Sequence, residues 1–107
     1  MSDEILYKSK TQQKRESRLI EQQEFLAKKR MGEIQKKWED SQVKAASAQS
    51  VLDYMVELFT NNKQELNEQQ IKETEEQIQA RQKEIEEFLM TAKETYTQEL
   101  KDFNATF

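Results

Sequence analysis

The chain has 107 residues, 36% of them charged and 35% hydrophobic, with a net charge of −4. That length allows one small domain or one elongated element, and so low an apolar content suits long exposed helices better than a globule. One glycine, no proline, no cysteine and no histidine argue against an all-β fold, a disulfide framework, a thiolate zinc site and the commonest general base.

Ser2 is placed to cap a first helix, with Asp3 and Glu4 in the turn where carboxylates favour the helix dipole. Apolar residues at three- and four-residue spacing then run through Ile20, Ala27, Met31, Ile34 and Trp38. They continue through Ala45, Leu52, Met55 and Phe59, predicting a helix over about 3–60. Its early part is diluted, because "KSKTQQKRESR" at 8–18 has no large apolar residue. Near its end, "SVLDYMVELF" has more apolar side chains than one stripe accommodates. Val51, Tyr54, Val56 and Leu58 lie off the line of Leu52, Met55 and Phe59, which marks them as candidate partner-binding residues.

Asn61 and Asn62 predict a turn at 61–62. Asparagine tolerates the left-handed conformation that ends helices, and Asn62 with Glu65 fits a capping box. A second helix over about 63–104 follows. Folding back at 61–62 sets Ile71 against Leu52, Ile78 against Ala45 and Ile85 against Trp38. It also sets Leu89 against Ile34, Tyr96 against Ala27 and Phe103 against Ile20. Every pair is apolar, as a helix seam requires. A competing turn lies in "AASAQS" at 45–50, where Ser50 and Asp53 form another capping box, and a kink in that segment is a third option. The expected fold is all-α: one elongated antiparallel two-helix hairpin, coiled-coil-like, spanning residues 1–107. Phe107, last in "ELKDFNATF", is a further candidate partner contact. Trp38 is expected in the seam, with an interface anchor as its alternative role.

The charge pattern lets two arms of opposite sign lie side by side without repulsion. Residues 1–40 carry ten basic and eight acidic side chains, and residues 41–107 carry seven and thirteen. The basic stretch "AKKRMGEIQKKW" reads as a solvated face in an acidic chain, so no nucleic-acid partner is expected. Glu75–Glu76 and Glu86–Glu87 have no shielded pocket for acid–base work, and no Glu-x-x-His motif exists for a carboxylate-bridged metal. The expectation is a non-enzyme with no catalytic, cofactor or metal site. No apolar run reaches 18 residues, so membrane insertion is not expected. "MSDEILYKSK" lacks the pattern of a secretory signal, so a cytoplasmic protein is expected.

The lone tryptophan in "QKKWED" and the apolar "LDYMVELF" block lie in a cysteine-free hairpin rich in Glu, Gln and Lys. Together they resemble the small α-helical proteins encoded beside LXG-domain toxins of type VII secretion in Gram-positive bacteria. Those are similar in size and shape to the WXG-type secreted hairpins. The chain departs from the WXG pattern, with Asp40 where the glycine would be and Trp38 far from the expected turn. It also lacks a clean Tyr-x-x-x-Asp/Glu export signal: Tyr96 is followed by "TQEL", with Glu99 one position early, and Phe103 is followed by "NATF". The resemblance is thus to the signal-free members. It implies a targeting chaperone that binds the helical N-terminal domain of an LXG toxin, with a small helical sister protein, and presents it for export. The rival is a structural coiled-coil subunit, a homodimeric scaffold or tethering component whose partner is a second copy.

Overall fold

The computed structural model describes residues 10–107, so the expected cap at Ser2 and the helix start near residue 3 lie outside the described residues. The fold is an all-α hairpin. Helix α1 spans Lys10–Asn62 and helix α2 spans Glu68–Thr106, with one 3₁₀ turn, Lys63–Glu65, between them. The described chain measures 95 × 18 × 10 Å over its Cα atoms. α1 has 53 residues, about 80 Å of helix at 1.5 Å per residue. It runs without a break through 45–50, so the competing turn in "AASAQS" is not used. Gly32 sits inside α1 with no positive φ, and a Cβ there would meet nothing within 4 Å.

The turn forms a few residues later than expected and by different chemistry. The Asn62 side chain does not cap a following helix; its Nδ2 donates back to the Leu58 carbonyl at 2.8 Å. The backbone stays near-helical through Lys63–Glu65 and turns extended only at Leu66, φ −101° and ψ 146°. Residues 63–65 therefore never present free N–H groups for an Asn62 cap. The orphan donors arise at the start of α2, and Asn67 satisfies them. Its side chain accepts from the Gln70 N–H at 2.8 Å, while the Gln70 side chain accepts from the Asn67 N–H at 3.1 Å. This reciprocal pair is the capping box of the hairpin, where Asn62 and Glu65 had been expected. No described residue has a positive φ, so the left-handed asparagine is not used either.

The later turn changes the register. Trp38 stacks on Tyr96, ring centroids 5.4 Å apart and 16° from parallel, instead of facing Ile85. Lys37 pairs with Glu99 at 2.8 Å, and Gln49 exchanges two hydrogen bonds with Gln82 at 2.8 and 2.9 Å. The partner of Trp38 is eleven positions further along α2 than expected. Eleven residues are about three helical turns, so α2 presents the same face with different residues opposite. Ile34, Ala45 and Leu52 are buried. Ala27, Trp38, Ile71, Ile78, Ile85, Leu89, Tyr96 and Phe103 are half-buried. Ile20 is 55% exposed and does not meet Phe103. With Trp38 level with Tyr96, α2 ends near residue 28 of α1, and the seam ends there too. The preceding part of α1 extends past it by about 27 Å and exposes Leu19, Ile20, Phe25 and Leu26.

Candidate docking surface

Two helices share one seam and leave a groove on each side of it. On one side this groove is lined by apolar residues over much of its length. Near the open end of the hairpin it is formed by Ile34, Trp38 and Ser41 of α1 and by Phe88, Ala92 and Tyr96 of α2. The Lys37–Glu99 ion pair closes that end. Toward the turn, Lys44 lies over the Phe88 ring, 5.4 Å from its centroid. The groove then continues between Ala48, Val51 and Met55 on one wall and Arg81, Glu84 and Ile85 on the other. It is made because both helices carry large side chains flanking the seam line, at positions a lone partner helix does not reach. It has an apolar floor, ring faces and charged rims, with no enclosed polar chamber among the described residues. Among the described residues no group of three or more His, Cys, Asp or Glu is placed to hold a metal ion. No helix among them is long and apolar enough to cross a membrane.

The residues singled out from the sequence divide into three places. Val51, Tyr54 and Leu58 are exposed, and they share an outer face of α1 with Val43. Val51 also borders the groove. Val56 does not join that exposed face; it is half-buried, because it falls one position after Met55 on the side nearer the seam. Phe107 is at the opposite end of the molecule, half-exposed, with its ring 4.9 Å from that of Phe103 and its N–H donating to the Phe103 carbonyl. The structure therefore does not bring Phe107 together with the other four.

Two contributors were missed. Val43 lies eight positions before Val51, the helical repeat that marks one face, but it stands alone among polar residues. Phe88 follows the apolar spacing of α2, but only the register shows that its ring faces an open groove. Comparison with protein-family models, with curated proteins and with solved structures gives no match to this chain. Fold and surface together define a class, an elongated helical hairpin with an open apolar groove beside its seam.

Proposed function

We propose that this protein is a non-enzymatic helical adaptor, which takes a helix of another protein into the groove beside its seam. The observation that supports this most is the groove itself: Trp38, Phe88 and Tyr96 at one end and Val51, Met55 and Ile85 at the other give a helix-length apolar surface. A docked helix would complete a three-helix bundle and bury rings that two helices cannot enclose. The resemblance to type VII partner proteins makes the helical N-terminal domain of an LXG toxin the proposed cargo, with a small helical sister protein and with assembly in the cytoplasm before export.

Co-expression with that toxin domain and its sister protein tests the proposal. The wild-type chain is expected to co-elute with them. Phe88→Glu places a carboxylate in the groove and is expected to abolish co-elution with helicity retained. Met90→Glu, exposed on α2 and outside the groove, is expected to leave it intact. Failure of the wild-type chain to co-elute overturns the choice of cargo; co-elution unaffected by Phe88→Glu overturns the groove.

A further inference from the structure

The outer face of α1 near the turn is a ridge of Val43, Val51, Tyr54 and Leu58, each 43–65% exposed, with Ser47 and Ser50 between them. At about 100° per residue these four lie roughly 140° around the helix from Ala45, Leu52 and Phe59, so α2 does not reach them. The positions along this ridge are symmetric about its midpoint and the side-chain sizes are complementary, the smaller residues lying toward Val43 and the larger toward Leu58. Place a second α1 antiparallel, with a two-fold axis between Ser50 and Val51. Val43 then faces Leu58 of the other copy, Ser47 faces Tyr54, and Ser50 faces Val51. Small residues receive large ones, as interdigitating helices require.

The charges follow the same symmetry. In this alignment Lys36 is level with Glu65 of the other copy and Lys44 with Glu57. Lys37, Glu39, Asp40 and Asp53 are level with Gln64, Asn62, Asn61 and Ala48. No like charges meet. Sliding one copy by about a turn loses the match: in one direction Asp40 comes level with Glu65, and in the other Leu58 comes level with Asp40. We infer that this ridge pairs with the same ridge of a second copy, making an antiparallel two-fold dimer through α1. Such an interface is isologous, so one surface serves both subunits. The contact runs over Val43–Leu58, about 22 Å of helix, at the small end of specific interfaces, below about 1,200 Å² in total. The dimer is therefore weak and concentration-dependent. It does not rest on the proposed cargo: Val51 is shared with the turn end of the groove, and the Trp38–Phe88–Tyr96 end of each groove stays open in the dimer.

The chain has no cysteine, so a single one reports on the two-fold directly. Ser50→Cys lies beside the axis and is expected to form a disulfide-linked dimer under mild oxidation. The expected rate is about tenfold or more above that of Thr97→Cys on α2, because pairing raises the effective thiol concentration. Adding Tyr54→Glu is expected to reduce the rate to that of the control, with the circular dichroism of the parent. Lys36→Glu is expected to slow it, and Lys36→Glu with Glu65→Lys to restore it, a pattern that loss of folding does not produce. Light scattering at about 0.1 mM is expected to show wild-type mass rising toward twice the 12.8 kDa of one chain. A strictly monomeric wild type overturns the inference, as does a Ser50→Cys rate equal to the control. So does a ridge cysteine that becomes protected only when the toxin domain is added, which would assign the ridge to that protein.

Discussion

At the scale of single residues, the Gln49–Gln82 pair has the clearest consequence. Its two reciprocal hydrogen bonds cross a part-buried point of the seam. An amide left without its mate there must be desolvated for nothing, which costs about 1–3 kcal/mol. Partial burial places Gln82→Ala at the lower end, about 1 kcal/mol in a denaturant melt. Replacing both with leucine removes the polar pair altogether and is expected to leave stability unchanged or raised. The loss should be in specificity, because a polar seam pair fixes register where apolar residues tolerate sliding. Burial ranks the leucines as sharply: Leu52 is 3% exposed and Leu58 is 43% exposed. Leu52→Ala is expected to cost about 2–4 kcal/mol through lost burial and the cavity left behind. Leu58→Ala in the monomer is expected to stay within about 0.5 kcal/mol.

At the scale of elements, the helices form for reasons visible in composition, and their ends do not. Gly32 interrupts α1 with nothing near its missing Cβ. Gly32→Ala is therefore expected to stabilise by up to about 1 kcal/mol, mainly by reducing the freedom of the unfolded chain, read as a rise in melting temperature. The turn gives a sharper test. Asn67→Ala removes the observed cap and should cost about 1 kcal/mol. Asn62→Ala breaks only an exposed bond to the Leu58 carbonyl and should cost less. Equal losses in thermal melts at the two positions would contradict the capping geometry. Both asparagines precede a Gln or Glu by three residues, so the pattern alone fits a cap at either. The choice depends on where the backbone leaves helical geometry, at Leu66.

At the scale of the whole molecule, the same ambiguity grows into the register. The hairpin and the residues on its inner faces were legible because Ile34, Ala45, Leu52, Ile71, Ile78 and Ile85 repeat at helical spacing. Which residue faces which was not. A seam slid by three turns keeps the same face inward, and the register expected from the sequence was apolar in every pair. What distinguishes the observed register is the Trp38–Tyr96 stack, the Lys37–Glu99 pair and the two glutamines, contacts that no periodicity encodes. The exposed face with Tyr54 was legible as apolar surplus, but the groove was not, since Phe88 and Trp38 line it together only in this register. The overhanging start of α1, with Ile20 exposed, follows from the same slide.

The groove proposed for docking therefore depends on the register, and crosslinking tests both. The cysteine-free chain accepts two pairs, Ser41→Cys with Ala92→Cys and Ala45→Cys with Ile78→Cys, each treated with a short bifunctional thiol reagent. Ser41 and Ala92 line the same stretch of groove, so the first pair is expected to crosslink efficiently within one chain. In this register Ala45 and Ile78 are about 12–16 Å apart along the seam, so the second pair is expected to stay open. Efficient intrachain crosslinking of the second pair but not the first would restore the turn at Asn61–Asn62 and contradict the groove on which the proposed function rests.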